Sequence, residues 1–198
     1  MSKKRIAFFD FDGTITTKDT LLEIIKYQKG TPSFYLGFLL CSPFLVAYKL
    51  KLISNQAAKE ITLRYFFGKT PVAAFNERCN AFAAEKLEPL IRPGAYTEIE
   101  KLKAAGAEVV LVSASAENWL SQWCRQHELT LIATRLEIKN DRLTGKIAGN
   151  NCHGQEKVDR INAAYDLSQY DEVYAYGDTK GDKPMLKLAT FGFYRPFR

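Results

Sequence analysis

The stretch that decides the fold is IAFFDFDGT, at residues 6–14. Its first four residues form an uninterrupted apolar run, which is typical of a short strand buried inside a sheet. Asp10 and Asp12 follow directly, and Gly13 allows a tight turn and a close backbone approach to an anion. An ordinary Asp-Gly turn would use the same letters. The stretch predicts a strand that ends in a polar loop, where ligands of parallel sheets bind.

Two further apolar runs predict strands, EVVLVS at residues 108–113 and EVYAYGD at residues 172–178. Apolar residues at helical spacing accompany them over residues 95–105, 116–127 and 156–165. Strands that alternate with helices predict an α/β fold, a Rossmann-like parallel-sheet core with right-handed crossovers. The segment LEIKNDRLTGK, residues 136–146, predicts a small hairpin on that core.

Residues 17–88 have helical periodicity and no clear strand. Thr17 or Asp19 is a suitable N-cap for TLLEIIKYQK, and Ser54 for NQAAKEITLRYFF. Thr70, followed by Pro71, predicts the start of another helix. We therefore expect a catalytic core at residues 1–16 and 89–198, with an all-helical insert at residues 17–88.

The insert contains FYLGFLLCSPFLVAYKL, residues 34–50, whose first fifteen residues carry no charge. As a helix they would span about 22 Å, whereas a bilayer core is about 30 Å thick. Ser42-Pro43 should break the helix, which predicts two short apolar helices that meet at residues 41–43. This segment would pack inside the insert or, because lysines 26, 29, 49 and 51 flank it, contact anionic lipid.

Composition limits the class of protein. The chain has 198 residues, 46% hydrophobic and 25% charged, which is typical of a folded soluble protein and not of a disordered one. The net charge of +6 favours anionic partners or simply promotes solubility. The four cysteines form no Cys-x-x-Cys pair, and the N-terminus has no signal-peptide pattern. We expect reduced thiols and a cytoplasmic location.

Further polar residues follow the other predicted strands. In GDTKGD, Asp178 stands just past the third strand, and Asp182 opens the next helix as a candidate ligand or as an ordinary N-cap. Aspartates crowded at one sheet edge repel one another unless a cation neutralises them. Mg²⁺ prefers such oxygen ligands, so the pattern predicts a Mg²⁺ site.

Ser113 ends the second strand, where a hydroxyl suits a phosphate oxygen. Either it or Ser115 could instead cap the next helix. Lys157, taken alone, would be a solvated lysine in the first turns of a helix. Lys157 is a candidate site residue because three strand ends are expected to converge on one pocket.

In this order, DFDGT, a serine after an apolar strand, a lysine and GDxxxD resemble the haloacid dehalogenase (HAD) superfamily. The insert directly after the first motif is similar to that of the phosphoserine phosphatase-like branch. The resemblance implies a Mg²⁺-dependent phosphatase that forms an aspartyl-phosphate. It implies that Asp10 is the nucleophile and that Asp12 is the general acid and base.

The resemblance also implies the remaining roles. The Mg²⁺ ligands would be Asp10, the Asp12 carbonyl and Asp178, with Asp182 in support. Ser113 and Lys157 would hold the phosphoryl oxygens, and Gly13 and Thr14 would offer backbone N–H groups to phosphate.

In this branch the insert is a cap that selects the substrate. Asp19 matches an acidic cap residue that faces the substrate amine of phosphoserine phosphatases, although it could be only an N-cap. Arg64 is not where those enzymes carry a cap arginine, which weakens phosphoserine as substrate. The resemblance therefore implies a small phosphorylated metabolite, such as a phosphoamino acid.

Two alternatives stay open. The layout is similar to that of phosphatidylglycerophosphatase C, which implies a phospholipid headgroup as substrate and peripheral contact of residues 34–50 with the inner membrane surface. A non-enzymatic protein that binds anions is the other alternative. No nucleic-acid partner is expected.

Overall fold

The computed structural model describes residues 3–198, and its centre is a five-stranded sheet. The strands lie in the order β3-β2-β1-β6-β7, and every neighbouring pair is parallel. Their bounds are β1 Arg5–Phe9, β2 Ala107–Ala116, β3 Thr130–Thr134, β6 Glu172–Gly177 and β7 Phe191–Tyr194. A separate antiparallel hairpin consists of β4 Leu136–Lys139 and β5 Arg142–Ile147. The predicted α/β parallel-sheet core is confirmed.

Eight α-helices surround the sheet or form the insert in the part of the chain that is described. Their bounds are α1 Thr20–Lys29, α2 Thr31–Lys49, α3 Asn55–Phe67, α4 Val72–Phe82, α5 Pro93–Ala104, α6 Glu117–Gln126, α7 Gln155–Ala164 and α8 Lys183–Leu188. The four helices α1–α4 lie between β1 and β2 in sequence. The helical insert is therefore present, and the division at residues 16 and 88 stays a prediction.

Strand β1 is buried on both faces, which explains its uninterrupted apolar run. Ile6 and Phe8 pack in one hydrophobic cluster, and Ala7 and Phe9 pack in the other. In the sheet register Phe9 lies beside Leu111 on one side and Tyr176 on the other. The central strands consequently end at one edge, and the residues that follow them meet there.

The hairpin contacts the insert in addition to the core. Gly145 in β5 lies against the α3 backbone, since a Cβ there would stand 2.3 Å from the Cα of Arg64. The Lys69 N–H donates to the Leu143 carbonyl at 2.7 Å, and the Leu143 N–H donates to Thr70 at 3.0 Å. The hairpin thus fastens the C-terminal end of α3 to the rest of the molecule.

The prediction of two short helices in residues 34–50 is wrong, because α2 runs without a break through Pro43. Proline cannot donate a backbone hydrogen bond to the carbonyl four residues earlier, which belongs to Leu39. The Ser42 hydroxyl donates to that carbonyl at 2.7 Å instead. The neighbouring serine satisfies the group that proline leaves free, and the helix continues.

Helix α2 is long and apolar, and only one of its faces is covered. Phe34, Gly37 and Cys41 are its buried residues. By length and composition alone it could span a membrane, because an 18-residue stretch of it has a mean hydropathy of 1.3, and 17% of that stretch is buried. Most of its apolar surface therefore faces away from the protein.

Candidate active site

The carboxyl ends of β1 and β6 bring two aspartates together. The Asp10 N–H donates to the Tyr176 carbonyl at 2.9 Å, which continues the β1–β6 pairing by one residue. The chain then turns through Gly13, whose φ is 81°. A Cβ at Gly13 would lie 2.7 Å from Asp178 Oδ2, so glycine is required both by the turn and by this close approach.

Asp10, Asp178 and Asp182 form a buried carboxylate cluster in which one oxygen from each residue lies within 4.8 Å of the others. The Thr14 hydroxyl lies 3.0 Å from Asp10 Oδ2 and 3.2 Å from Asp178 Oδ1. The resemblance implied that Thr14 contacts phosphate through its backbone. In the structure its hydroxyl joins the two strand-end aspartates.

Lys157 supplies a cation to this cluster and is itself buried. Its Nζ donates to Asp10 Oδ1 at 2.6 Å, to Asp182 Oδ1 at 2.7 Å and to the Val112 carbonyl at 2.8 Å. Three acceptors satisfy all three protons of the ammonium. The expectation that Lys157 would join the strand-end residues, and not lie at the surface, agrees with this geometry.

Burial and charge shift the pKa values of these groups in different directions. Burial raises the pKa of Asp10 to about 7, against the opposing effect of Lys157. Burial alone would lower the pKa of Lys157, but Asp10 and Asp182 outweigh it and raise that pKa. Burial raises the pKa of Asp178, whereas Lys157 holds that of Asp182 below its usual value despite burial. Burial therefore outweighs the nearby cations at Asp10 and Asp178, but not at Asp182.

The Asp182 carboxylate is fully engaged by protein groups. Its Oδ2 accepts from the Asp178 N–H at 3.2 Å, and from the Thr179 N–H at 2.9 Å and hydroxyl at 2.7 Å. With Thr179 it forms a capping box at the following helical turn. Asp182 thus has the capping role considered for it and also holds Lys157.

The donor set suits a hard divalent cation. Asp10 and Asp178 offer carboxylate oxygens, Asp182 stands behind them, and Mg²⁺ prefers such oxygen ligands. Arg198 Nη2 contacts Asp178 Oδ2 and lies 3.4 Å from the Gly13 carbonyl. The Arg198 guanidinium thus places a positive charge beside the Asp178 carboxylate, which agrees with a cation-binding site here.

Asp12 lines the same cavity as Asp10 and Asp182, but its carboxylate has different partners. Its Oδ2 accepts from the Ser115 hydroxyl at 2.5 Å, and its Oδ1 accepts from the Thr20 N–H at the start of α1 at 2.7 Å. The carboxylate lines the cavity between the sheet and the insert. Its role as a metal ligand would rest on its backbone carbonyl, and that stays a prediction.

Ser113 and Ser115 lie in the last four residues of β2 and do not cap a helix. Helix α6 begins after Ala116, which has no capping side chain, so the capping alternative is wrong. Ser113 Oγ is buried and accepts from the Ser115 N–H at 3.0 Å. The Gly13 N–H donates to Thr16 Oγ1 at 3.2 Å. The phosphate-binding roles of Ser113 and Gly13 stay predictions.

A cavity of about 550 Å³ opens above these residues and is lined in part by the insert. Asp19 lines it and also caps α1, accepting from the Leu22 N–H at 3.2 Å. One wall is apolar and consists of Leu21, Leu22, Phe38, Leu45 and Tyr48. The cavity therefore combines carboxylates with apolar side chains in its lining.

Lys59, Asn151 and His153 also line the cavity, although the sequence pattern did not identify them as site residues. Lys59 Nζ donates to the Ala114 carbonyl and lies 3.2 Å from Asn151 Oδ1. Burial lowers the pKa of Lys59 to about 8, although Asp12 and Asp19 oppose this shift. A signal for Lys59 existed in its helical spacing, since α3 turns Asn55, Ala58, Lys59 and Thr62 towards the cavity.

Similarity to known proteins agrees with this architecture. The family profile described as haloacid dehalogenase-like hydrolase matches residues 7–187. Protein CicA of Caulobacter vibrioides is 35% identical over 192 residues, which cover 96% of this chain and 85% of CicA. A histidinol-phosphatase of Neisseria meningitidis is 25% identical over 206 residues, with 94% and 88% of the two chains covered.

A phosphoserine phosphatase of Lactococcus lactis is 36% identical over 102 residues, about half of each chain. A crystal structure of a Bordetella pertussis protein of unknown function superposes with a TM-score of 0.81 at 23% identity, covering 95% of this chain and 88% of that one. The predicted resemblance is confirmed, and the named phosphatases agree with the phosphoserine phosphatase-like branch. This chain belongs to the haloacid dehalogenase-like hydrolase family.

Proposed function

We propose that this hydrolase is a Mg²⁺-dependent phosphatase that cleaves phosphate monoesters through an aspartyl-phosphate on Asp10. The observation that carries the proposal is the position of Asp10, at a strand end, 2.6 Å from the Lys157 ammonium and in one carboxylate cluster with Asp178. Asp12 lies at the cavity, held by Ser115. Two carboxylates and an ammonium thus lie at one edge of the sheet, which supports the roles proposed for Asp10, Asp12 and Lys157.

The chemistry proceeds in two displacements. An Asp10 oxygen attacks phosphorus, the P–O bond to the alcohol breaks, and Asp12 donates a proton to the leaving oxygen. Water then gives its proton to Asp12 and attacks phosphorus, which releases phosphate and restores Asp10. Lys157 stabilises charge on the phosphoryl oxygens. A bound Mg²⁺ would neutralise the same charge, with Asp10, Asp178 and the Asp12 carbonyl as its ligands.

For the substrate, we propose a small phosphorylated molecule, such as a phosphoamino acid. The names of two relatives, a histidinol-phosphatase and a phosphoserine phosphatase, support this class. Asp19 and Lys59 line the cavity with opposite charges and suit a leaving group that carries both. In this proposal residues 17–88 are the cap that selects the substrate, and the enzyme acts in the cytoplasm.

A phospholipid headgroup is the second candidate substrate. The observation that favours it is the apolar wall of the cavity, to which α2 contributes Phe38, Leu45 and Tyr48. A leaving group with an apolar part would bury that part against these side chains. In this case the enzyme works at the inner membrane surface.

Turnover of p-nitrophenyl phosphate tests the chemistry. We expect the wild type to require Mg²⁺ and lose activity on chelation, and Asp10→Asn to lose at least a thousandfold in kcat. Asp159→Asn, which changes an exposed aspartate on α7, is the matched control and should retain full activity. Full activity in Asp10→Asn would refute the nucleophile. The absence of Mg²⁺-dependent turnover in the wild type would favour the non-enzymatic alternative.

A parallel screen separates the substrates. Phosphoamino acids, sugar phosphates and phosphatidylglycerophosphate should be offered to one preparation. The small-molecule proposal requires a higher kcat/KM for a soluble ester than for the dispersed lipid. The reverse order would favour the lipid headgroup.

A further inference from the structure

The exposed face of α2 concentrates apolar surface to an unusual degree. Fifteen large apolar side chains are exposed among residues 3–198, and nine of them lie within residues 35–52. They are Tyr35, Leu36, Leu39, Leu40, Phe44, Val46, Tyr48, Leu50 and Leu52. Leu39, for example, is 69% exposed. An exposed apolar patch of this kind usually marks a surface that binds a partner or a membrane.

The charges around this face indicate what covers it. In the sequence, no acidic residue lies between Glu23 and Glu60, whereas the same interval contains five lysines. Lys49 and Lys51, at the C-terminal end of α2, are exposed, and neither forms a salt bridge within the described residues. An apolar face bordered by unpaired lysines is complementary to a bilayer with anionic headgroups.

The packing of α2 determines how it would meet a membrane. Nineteen residues span about 28 Å, close to the thickness of a bilayer core. A spanning helix would expose its whole circumference to lipid. The opposite face of α2 is instead fixed to the insert, with the rings of Phe38 and Phe66 5.6 Å apart. A Cβ at Gly37 would lie 2.3 Å from the Phe66 ring, so the helices already touch.

We propose that α2 is a docking helix that lies in the interfacial plane of an anionic bilayer. Its outer apolar side chains enter the boundary between headgroups and acyl chains, and Lys49 and the following Lys51 contact the headgroups. Tyr35 and Tyr48 near its two ends suit that polar boundary. Because Phe38 and Tyr48 also line the cavity, docking places the cavity mouth beside the membrane surface.

Co-sedimentation with vesicles tests this proposal. The full-length chain is mixed with vesicles of phosphatidylcholine alone or of phosphatidylcholine with phosphatidylglycerol. We expect wild type to sediment with the mixed vesicles and more weakly with the neutral ones, and added salt to narrow the difference. Wild type that stays in the supernatant with mixed vesicles would overturn the proposal.

Variants localise the contact. The double change Leu36→Glu and Leu40→Glu should weaken vesicle binding at least tenfold, because it places two charges on the apolar face. The control is Ile138→Glu, which changes a 48% exposed apolar residue in β4, distant in sequence from α2. This variant should bind vesicles like the wild type. Lys49→Gln with Lys51→Gln should reduce binding to mixed vesicles only, and Lys139→Gln, an exposed lysine, is its control.

Two further measurements make the result decisive. Turnover of p-nitrophenyl phosphate without vesicles should be unchanged in the α2 variants, which separates docking from the proposed chemistry and from misfolding. Size-exclusion chromatography examines self-association. A wild-type dimer that Leu36→Glu with Leu40→Glu converts to monomer, without any vesicle binding, would show that a second copy covers α2 and would overturn the membrane proposal.

Discussion

Lys157 Nζ lies 2.6 Å from Asp10 Oδ1, so an ammonium on a helix and a carboxylate at a strand end form a buried ion pair. The same Nζ lies 2.7 Å from Asp182 Oδ1, which connects the loops after β1 and β6. Charges in such an environment are stable only together, because removal of one partner leaves an uncompensated buried charge. This triad therefore couples the stability of the fold to the chemistry of the site.

Lys157→Met should cost both stability and activity. It leaves Asp10 and Asp182 buried without their cation, for which a loss of about 3–5 kcal/mol in the free energy of unfolding is expected. It should also lower kcat for p-nitrophenyl phosphate at least a hundredfold. Urea unfolding and initial rates measure the two effects. Lys187→Met, at an exposed position on α8, should alter neither, and wild-type stability in Lys157→Met would contradict the ion-pair interpretation.

Mg²⁺ should raise the melting temperature of the protein. Binding to the folded state alone stabilises it in proportion to the logarithm of the ligand concentration. Differential scanning calorimetry with increasing MgCl₂ should show the rise in the wild type and in Asp159→Asn, and a much smaller one in Asp178→Asn. An equal rise in Asp178→Asn would place the bound ion elsewhere.

Asp12→Asn should separate the two displacements of the proposed reaction. An amide cannot take a proton from water, so release of phosphate from Asp10 should slow more than its formation with a good leaving group such as p-nitrophenolate. Mass spectrometry of acid-quenched protein should then detect a phosphorylated species. It should be absent from a variant that also carries Asp10→Asn. Rapid and complete turnover by Asp12→Asn would argue against its role as acid and base.

Lys59 should make stability depend on pH in the alkaline range. Its pKa is lowered to about 8 in the folded protein, from 10.5 when unfolded, chiefly by burial. Between these values the unfolded chain binds more protons, so the Lys59 contribution makes the protein more stable as pH rises from about 8 to 10.5, by at most about 3 kcal/mol.

The difference between wild type and Lys59→Met in urea unfolding isolates this contribution, because every other group titrates in both proteins. The difference in the free energy of unfolding between the two proteins should shift in favour of the wild type as pH rises from about 8 to 10.5. Below about pH 8 this difference should be constant. Lys86→Met, at an exposed lysine, should follow the wild type at every pH. A difference that is flat throughout would show that Lys59 keeps an ordinary pKa.

Replacing Gly37 or Gly94 by alanine should change the free energy of unfolding in different ways. A Cβ at Gly37 would lie 2.3 Å from the Phe66 ring and 2.5 Å from the Tyr65 ring, so Gly37→Ala should destabilise by about 1–3 kcal/mol. At Gly94, also helical, the nearest atom would be 3.8 Å away. Gly94→Ala should be neutral or stabilise by up to about 1 kcal/mol. Thermal unfolding of the two variants measures the contrast.

The sequence by itself determined the core of this protein. Central strands that are buried on both faces consist mainly of apolar residues, so the runs at residues 6–9, 108–113 and 172–178 predicted the three central strands of the sheet. Polar residues directly after such strands are expected at one edge of the sheet. For that reason the proximity of Asp10 to Asp178 follows from the pattern of residues alone. Start signals such as Ser54 likewise predicted the helix that begins at Asn55.

Only the tertiary structure decided the rest. The pattern in residues 34–50 is apolar on all sides, so periodicity could not distinguish its buried face from its exposed one, and Pro43 predicted a break in the helix. The helix continues through Pro43 with the Ser42 hydroxyl donating to the Leu39 carbonyl. Its buried face is the one that packs against Phe66 of α3. The entry of Lys59 into the cavity and the burial of Lys157 depend in the same way on neighbours distant in sequence, because burial is a property of packing and not of local pattern.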